Sequence, residues 1–486
     1  MKTRNWKLAL IPIISILGCT DLYKDPIGLL TPEQINTDPT LNTVSSSVTS
    51  SYQMLANTLN LLGEWRWDLG LVFRNDVVVQ DMASDDMNKK WNPDGDQAWM
   101  DQVQTFNFTA SNQAFNGQWS YDYEGINRAN LAISYLTDAA IVEKIGMDGA
   151  MRNRLLGEAL FLRAFYYFDL VNNFGDVPLL LKPLKNFADA YAVARRESKT
   201  AVYAQITSDL AEAKLLLPSS KYSSSSEKWR VSKGAVIALQ AKIALYNQSW
   251  AQVISLVSEL EGLGFYSLNA NYFDNFAVSR EFAENEVIFS YDHETGSNPR
   301  NGNGLAAPLD WGFIAPTANF LAEFEPNDPR LGLTVNVGDK AVYKLLGSQN
   351  TVYKGNDDSP GNKIYIRMAD VLLWKAEAYI ETANYPAAIA IINSIRARAR
   401  AGAPAGTLLD RAASTDKNQV TAWLRHERRV ELGFESQRFN DLKRWGIAKA
   451  VLTALGKNFQ DYNYLYPIPQ GEIDKSGGSI TQNPGY

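Results

Sequence analysis

The sequence predicts a mainly α-helical fold in which pairs of helices alternate with long irregular segments. Three observations predict it. Apolar residues recur at spacings of three and four in several windows, one short stretch has a near copy further along the chain, and two long polar segments lack any helical period. Of the 486 residues, 45% are apolar, which is enough to form a large buried core.

The first 18 residues resemble a signal peptide. Three basic residues precede an apolar run over residues 8–17, which is too short to span a bilayer. The run ends at Gly18-Cys19, and a small residue directly before a cysteine at this place resembles the bacterial lipobox. Because Cys19 is the only cysteine, it has no disulfide partner, which favours a lipid-attached cysteine over a plain secretory signal.

The remainder is predicted to be a polar tether over residues 19–40 and a single composite domain over residues 41–486. Removing residues 1–18 discards three positive charges, so 47 − 3 = 44 Lys and Arg face 53 Asp and Glu, a net charge of −9. This acidity argues against nucleic acid as a partner. With two histidines and one cysteine in the chain, most histidine-driven catalysis and any cysteine-based metal cluster are also disfavoured.

Helices are predicted wherever apolar residues follow the helical period. In chain order, these windows lie near 40–62, 118–137, 155–170, 199–216, 232–247, 250–262, 372–399, 417–435 and 438–455. The helical pairs fall near 118–262 and 366–455, and the loop-rich regions are 63–117 and 264–364. Irregular segments this long are usually functional or disordered, and their many aromatic residues argue against disorder.

The repeated stretch lies in two of these helical pairs. The segment 241–250 aligns with the segment 376–385, and in each an alanine-rich helix ends in a short polar turn that carries an aromatic residue. Pro386 follows, in the first turn of the next helix, where proline is tolerated. Small residues let the paired helix approach closely, which is typical of tetratricopeptide-like pairs. Two unrelated helical hairpins are the alternative.

Aromatic side chains in the loop-rich regions are the candidate ligand-binding residues. Sugar rings stack their apolar faces on aromatic rings, while nearby polar side chains bind the hydroxyl groups. The candidates stand among Asp, Asn and Arg residues, and they are Trp65, Trp67, Trp91, Trp99, Tyr291 and Trp311. For each, the alternative is a ring that packs its loop onto the core.

Metal and catalytic sites receive little support from the sequence. Asn92, Asp94 and Asp96 alternate so that they could offer oxygen ligands to a structural calcium ion, but the twelfth position is Val103 instead of the Glu of an EF-hand. Carboxylate pairs without any spacing signal are expected to be solvated. These pairs are Asp85/Asp86, Glu323/Glu325 and Asp357/Asp358. The sequence therefore predicts no cofactor, no metal and no catalytic residue.

Several segments resemble a known family. They are Arg163–Leu179, Ile366–Tyr379, Arg425–Trp445, Tyr466–Ile473 and Gln482–Tyr486. Together with the lipobox, they resemble the SusD/RagB family, the starch-utilisation-system D-like outer-membrane lipoproteins of Bacteroidetes. The segments occur in family order and extend over essentially the whole chain after residue 18.

This resemblance implies both a fold and a function. The fold is a superhelix of tetratricopeptide-like helix pairs that carries a large loop-rich ligand-binding region. The function is to capture a nutrient, usually an oligosaccharide, on the outside of the outer membrane and to deliver it to a SusC-like TonB-dependent transporter, without catalysis. The alternatives are a binder of peptide or another nutrient, an assembly scaffold, and a glycan-cleaving enzyme.

The segments that carry the resemblance are themselves predicted to be scaffold. Arg and Glu alternate at helical spacing over 425–438, and Glu427 shares a stripe with apolar residues, so we expect it to be buried and paired with an arginine. A functional anion site is the alternative. We expect a structural role for His426 within this network and core packing for the aromatic run 165–168.

Overall fold

The helical content follows the predicted pattern closely. The computed structural model describes residues 39–89, 95–184, 186–219, 221 and 227–486. The helices before the long central loop region are α1 (Leu41–Gln53), α2 (Ala98–Thr105), α3 (Gln113–Thr137), α4 (Ala139–Lys144), α5 (Gly149–Phe174), α6 (Phe187–Val193), α7 (Lys199–Leu216), α8 (Lys233–Tyr246) and α9 (Trp250–Gly262). The prediction of a mainly α-helical fold is confirmed.

The second half has short helices in the loop-rich region and longer ones after it. They are α10 (Ala306–Asp310), α11 (Ala318–Leu321), α12 (Pro329–Thr334), α13 (Tyr343–Leu346), α14 (Met368–Glu381), α15 (Tyr385–Ala399), α16 (Lys417–Leu432), α17 (Arg438–Arg444), α18 (Ala448–Ala454) and α19 (Gln470–Lys475). The longer helices pack in succession, with α3 against α5, α5 against α7, α9 against α14, and α14 against α15 and α16.

Three small antiparallel sheets join distant parts of the chain. The strands are β1 (Met87–Asn88), β2 (Val287–Tyr291), β3 (Ala315–Pro316), β4 (Val335–Asn336), β5 (Ala341–Val342) and β6 (Lys363–Arg367). β1 pairs with β3, β2 with β6, and β4 with β5. In the longest pairing, Val287 lies opposite Arg367 and Tyr291 lies opposite Lys363, so the start of α14 is fixed against the loop-rich region.

Side-chain caps begin several of the long helices. Asn112, Asp148 and Ser198 each accept hydrogen bonds from first-turn amides of α3, α5 and α7, and these amides have no partner within the helix. α5 is buried along most of its length because it lies between α3 and α7. Tyr166 and Tyr167 on this helix are fully buried, which confirms the prediction of core packing for the aromatic run.

The two repeated turns have the same backbone course. Gln248 between α8 and α9 has φ +55°, and Ala383 between α14 and α15 has φ +59°. The next amide in each turn donates to the carbonyl five residues earlier, Ser249 to Ala244 at 2.8 Å and Asn384 to Tyr379 at 2.7 Å. The predicted repeat is therefore confirmed as two helical pairs that share one turn geometry.

Two predicted helix boundaries are wrong, and one loop-rich region contains two short helices that the sequence did not predict. The helix predicted near 40–62 ends at Gln53, and the one predicted near 438–455 is two helices, because Gly446 adopts φ +67° after α17. The loop-rich region 63–117 contains α2 and a π-helix, Val77–Met82. The π-helix was missed because every residue in it is buried, polar and apolar alike, so no apolar stripe marks it.

A buried ion network joins α16 to the loop-rich region. Glu431 accepts hydrogen bonds from Arg330 at 3.1 Å, from Arg367 at 2.7 Å and from Arg398 at 2.5 Å, and we call these four residues the Glu431 network. Burial alone would raise the pKa of Glu431, but the three guanidinium groups outweigh it and hold the pKa well below its usual range. The network fixes one face of the helix that carries the third family-like segment.

Neighbouring charges confirm one prediction and correct another. Glu427 is fully buried and bonds Arg330 at 2.5 Å, as predicted for a paired interior carboxylate. The expectation that Asp85 and Asp86 are solvated is wrong, because both are buried. The side chain of Asp85 contacts Arg438 and that of Asp86 contacts Arg429, each at 2.8 Å.

Glu323 and Glu325 are also held by partners instead of being free in solvent. The Nδ1 of His426 lies 2.7 Å from Glu323, and Arg396 bonds Glu325 at 2.7 Å. His426 thus lies within an ion-pair cluster, in agreement with a structural role. Burial raises the pKa of Glu325, but the hydrogen bond from Arg396 outweighs this and lowers the pKa to about 2.

None of the helices in the described part of the chain is long and apolar enough to cross a lipid bilayer.

Candidate functional site

Three of the predicted aromatic residues meet at one place on the molecular surface. The ring centroids of Trp65 and Trp311 are 6.4 Å apart, and those of Trp67 and Trp311 are 6.1 Å apart. The side chain of Trp65 is 46% exposed, and those of Trp67 and Trp311 are half-buried. We call these three residues the aromatic surface. Trp65 and Trp67 come from the first loop-rich region and Trp311 comes from the second. On the sequence alone, these were two separate candidate clusters.

A tight turn presents Trp65 and Trp67. Trp65 adopts φ +51°, a left-handed conformation that is unfavourable for a bulky residue, and its amide donates to Oδ1 of Asn60 at 3.0 Å. A single 3₁₀ turn, Trp67–Leu69, follows and ends at Gly70 with φ +68°. The turn therefore displays the indole of Trp65 instead of burying it.

Trp311 follows directly after α10 and rests on a buried ring. Its amide donates to the carbonyl of Ala307 at 2.9 Å, so the helix sets its position. Phe313 is buried beneath it, and this ring lies 6.1 Å from Trp311 and 6.0 Å from Trp67 in edge-to-face arrangements. The aromatic surface is thus backed by core packing and is fixed before any ligand arrives.

Backbone contacts join the second loop-rich region to the first one and to the segment just before it. The amide of Gly304 donates to the carbonyl of Asn57 at 3.1 Å, and the β1–β3 pairing places Met87 opposite Pro316. A Cβ added to Gly304 would lie 2.3 Å from the side chain of Leu59, so the approach requires glycine there. The relative position of Trp65 and Trp311 depends on these contacts.

Charged side chains border the aromatic surface. In the sequence, Arg66 lies between Trp65 and Trp67, and Asp68 follows Trp67. The side chains of Arg66 and Asp68 are joined by two hydrogen bonds, at 2.9 and 2.8 Å. The hydrogen bond from Arg66 lowers the pKa of Asp68, which stays ionised at neutral pH. Asp310, next to Trp311, is half-exposed and lies 3.7 Å from the Nζ of Lys354. Both signs of charge are therefore available to bind hydroxyl groups.

Two other predicted residues, Trp99 and Tyr291, lie away from the aromatic surface. Trp99 is only 6% exposed, and its indole N–H donates to Gln97 at 2.8 Å. Tyr291 is buried in β2, and its hydroxyl donates to Asn301 at 2.5 Å. These two rings are core residues of their segments, and the structure does not bring them to the aromatic surface. Trp91 and Cys19 lie outside the described residues.

The calcium alternative has no geometric support in the described chain. Asn92 and Asp94 lie outside the described residues, and Asp96 lies within them. Across the residues that the structure describes, no group of three or more His, Cys, Asp or Glu side chains is placed to hold a metal ion.

The sequence did not single out two contributors to the site. Phe73 lies 6.0 Å from Trp67 and supports it from below, and Lys354 reaches Asp310 from a short 3₁₀ turn. A lone lysine in an irregular segment carries no pattern that would identify it. Phe73 follows the two tryptophans within the same polar stretch, so aromatic density was the available signal for it.

Comparisons with known proteins agree with this architecture. The model of the SusD family matches residues 339–486, and a second family model, described as starch-binding and associating with the outer membrane, matches residues 36–245. SusD-like protein P2 of Formosa agariphila is 24% identical to this chain, over 99% of this chain and 100% of that protein.

Solved structures give the same result. A laminarin binding SusD-like protein superposes with a TM-score of 0.74 and 26% identity, covering 92% of this chain and 100% of that chain. Surface glycan-binding protein A from Bacteroides fluxus superposes with a TM-score of 0.76 at 24% identity, covering 92% of this chain and 100% of that chain, and it therefore supports the fold.

Proposed function

Because the chain belongs to the SusD family, we propose that it captures an oligosaccharide at the outer membrane and delivers it to a SusC-like TonB-dependent transporter. In this proposal, Cys19 carries the lipid anchor and the protein faces the exterior. The aromatic surface binds the sugar, and the protein releases it without chemical change. The observation that carries the proposal is the meeting of Trp65, Trp67 and Trp311 on one supported, partly exposed face.

The geometry of this face suits a sugar chain. An exposed indole offers an apolar plate for the C–H face of a sugar ring, and the tilt of 49° between Trp65 and Trp311 presents two such plates at an angle. Arg66, Asp68 and Asp310 supply donors and acceptors at the border of the rings. The combination of apolar plates and bordering polar groups favours carbohydrate over a purely apolar ligand.

The state of the histidines supports a non-catalytic role. His293 is buried, and burial lowers its pKa to about 3, so it stays neutral. Its Nε2 accepts from the amide of Asn57 and its Nδ1 contacts the carbonyl of Asn301, which occupies both ring nitrogens. His426 is held in the ion-pair cluster with Glu323. Neither histidine lies at the aromatic surface.

Laminarin is the first ligand to test, because a solved relative at 26% identity is named for binding it. The experiment is isothermal titration of the purified protein with laminarin and a panel of other glycans, followed by Trp65→Ala and Trp311→Ala. Each substitution removes an apolar plate, so we expect at least about a tenfold loss of affinity, equivalent to about 1.4 kcal/mol. Tyr191→Ala is the matched control, because Tyr191 is 62% exposed and lines a separate pocket to which no residue of the aromatic surface contributes.

The results also separate the alternatives. A protein that binds no glycan in the panel but copurifies with a transporter favours the scaffold or peptide-binding alternative. Shortened glycan chains after long incubation with the protein would revive the enzyme alternative. Binding that survives both tryptophan substitutions would contradict the assignment of the aromatic surface.

A further inference from the structure

Four consecutive carbonyl groups hold the segment that carries Trp65 and Trp67. We call residues 60–72 the tryptophan loop. The carbonyl oxygens of its last four residues, 69–72, each accept a hydrogen bond from a different donor. In the order of the carbonyls, the donors are Nδ2 of Asn116 at 2.7 Å, Nδ2 of Asn75 at 2.9 Å, the hydroxyl of Tyr121 at 3.1 Å and the amide of Asn60 at 2.7 Å. Each carbonyl at the exit of the loop is therefore bound within the protein.

Most of these donors tie the tryptophan loop to α3. Asn116 and Tyr121 lie on this helix, and Nδ2 of Asn75 also donates to a carbonyl in its first turn, at 3.3 Å. The two backbones approach so closely that a Cβ added to Gly117 would lie 2.1 Å from the carbonyl oxygen of Gly70. The exit of the loop is therefore anchored to the first half of a long helix.

Asn60 joins the two ends of the tryptophan loop and also holds Trp65. Its Oδ1 accepts from the amide of Trp65 at 3.0 Å, while its own amide donates to the carbonyl of Val72 at 2.7 Å. Asn60 has φ +65°, a left-handed conformation that asparagine adopts more readily than most residues. A single side chain thus connects the closure of the loop to the backbone of its most exposed ring.

Trp65 requires such support because its backbone is strained. A bulky residue at φ +51° is unfavourable, and the conformation persists only where the surrounding contacts enforce it. The side chain is 46% exposed, so core packing alone does not keep it in place. Without the hydrogen bond to Asn60, the loop can relax toward ordinary backbone angles, and the indole then leaves its position 6.4 Å from Trp311.

We propose that Asn60 and Asn116 are positioning residues for glycan binding. Asn60 holds Trp65 in its left-handed conformation, and Asn116 holds the 3₁₀ turn Trp67–Leu69 against α3. A sugar that needs both rings in place binds with an apparent affinity proportional to the fraction of molecules in which they are in place. This inference rests on the proposed function, since it concerns the aromatic surface as the face that binds the sugar.

Two substitutions of Asn60 separate its acceptor oxygen from its backbone conformation. Asn60→Gly removes Oδ1 and tolerates a positive φ, whereas Asn60→Asp keeps an acceptor oxygen at the same place. By titration calorimetry, we expect the affinity for laminarin, or for the glycan of the panel that the natural protein binds most tightly, to fall about fivefold or more in Asn60→Gly and to stay within about twofold in Asn60→Asp. Equal affinities of the two variants overturn the role of Asn60.

Asn116→Ala tests the anchor on α3, and Asn127→Ala is its matched control. Asn127 lies on the same helix, is also half-buried, and lines the separate pocket that contains Tyr191. We expect about a threefold or greater loss of affinity in Asn116→Ala and no change in the control. Because Asn60 and Asn116 are half-buried, water can replace their hydrogen bonds, so the melting temperatures of all these variants should stay within about 3 °C of the natural protein. A lower melting temperature with unchanged affinity would make both asparagines purely structural and overturn the inference.

Fluorine NMR of protein labelled with fluorinated tryptophan provides a measurement that needs no ligand. The signal of Trp65 is identified by its loss in Trp65→Phe. It should shift or broaden in Asn60→Gly and keep its position in Asn60→Asp and Asn127→Ala. A Trp65 signal that is the same in all of these proteins overturns the inference. If the natural protein binds no glycan, the proposed function fails, and the fluorine signal still decides whether Asn60 positions Trp65.

Discussion

The aromatic surface and the Glu431 network differ in how completely the protein itself satisfies their side chains. In the Glu431 network, one buried carboxylate accepts from three arginines, and each arginine has further carboxylate partners. At the aromatic surface, Trp65 contacts another ring on one side only, and almost half of its side chain remains exposed. Both regions use large side chains, but of the Glu431 network only Arg330 lies in a loop-rich region, whereas all three rings of the aromatic surface do.

This difference separates support from recognition. A side chain whose groups all have partners can hold a fold together, but it offers nothing to a ligand. A ring with a free face leaves apolar area exposed in the folded protein, which is unfavourable. A ligand that covers the ring buries this area. The comparison predicts that changes in the Glu431 network affect stability, whereas changes at the aromatic surface affect binding.

The strongest test of this comparison is Glu431→Gln. The change leaves three buried arginines without their shared negative charge, so we expect a loss of about 3–5 kcal/mol in the free energy of unfolding, measured by urea denaturation. Laminarin affinity of the folded fraction should be unchanged. Glu381→Gln is the control, since Glu381 forms an exposed pair with Lys417 and should change stability by less than about 1 kcal/mol. A loss below 1 kcal/mol for Glu431→Gln would remove the distinction.

Acid titration sharpens the same point. The pKa of Glu431 is lower in the folded protein than in the unfolded chain. As the pH falls through about 4.3, the unfolded chain binds a proton at Glu431 before the folded protein does, so the stabilisation by the ionised carboxylate is progressively lost. We expect the stability difference between the natural protein and Glu431→Gln to be full at pH 7 and to shrink below about pH 4. Urea denaturation at several pH values measures it. A difference that is constant from pH 7 to 3.5 is inconsistent with an ionised Glu431.

Gly304→Ala tests the connection between support and recognition. The added methyl group would collide with Leu59, where the second loop-rich region contacts the segment just before the first one, so we expect a loss of about 1–3 kcal/mol in stability and weaker glycan binding together. Gly332→Ala is the control, because a Cβ there meets open space at an ordinary backbone angle. Intact binding in a destabilised Gly304→Ala protein would show that the two halves of the aromatic surface do not need each other.

The pair Trp65→Ala and Trp65→Phe tests whether the ring face itself binds. Phenylalanine keeps an apolar plate and alanine does not, so we expect a loss of affinity of about tenfold for Ala and of about threefold or less for Phe, measured by titration calorimetry. Unfolding free energies of both variants should stay within about 1 kcal/mol of the natural protein. Equal affinity losses would indicate that the indole N–H, and not the ring face, makes the important contact.

The smallest expected effect belongs to Arg66→Met. The pair of Arg66 with Asp68 is exposed at the surface, and such pairs contribute little to stability. We expect no measurable change in unfolding and a change of at most a few-fold in glycan affinity, because a bordering hydrogen-bond donor is lost. A clear loss of stability in urea denaturation would place this pair with the supporting residues.

The sequence predicted the helical part of the fold well, because the apolar residues of helices such as α3, α5 and α7 recur at helical spacing. It failed at the π-helix Val77–Met82, where polar and apolar residues alike are buried, and at Asp85/Asp86, whose carboxylates are buried against arginines that lie more than 300 positions away in the chain. The pattern of neighbouring residues in a sequence does not reveal ion pairs between residues so far apart in the chain. Glu427 was predicted correctly because its burial followed from the stripe on its own helix.

The candidate site was predictable in kind and only partly in detail. Tryptophans in polar segments marked Trp65, Trp67 and Trp311, but the same signal marked Trp99 and Tyr291, which are buried. Whether such a ring is exposed or buried depends on backbone angles, such as the left-handed φ of Trp65, and on contacts between distant segments. These angles and contacts are properties of the folded chain, and the sequence of an irregular segment does not specify them.

The origin of the aromatic surface in two remote segments has a practical consequence. A sugar that contacts Trp65 and Trp311 together would link two parts of the chain that are more than 200 residues apart in sequence. A bound sugar should then raise the melting temperature of the protein, so a dye-based melting assay across a library of polysaccharides can screen for the carbohydrate that this chain binds.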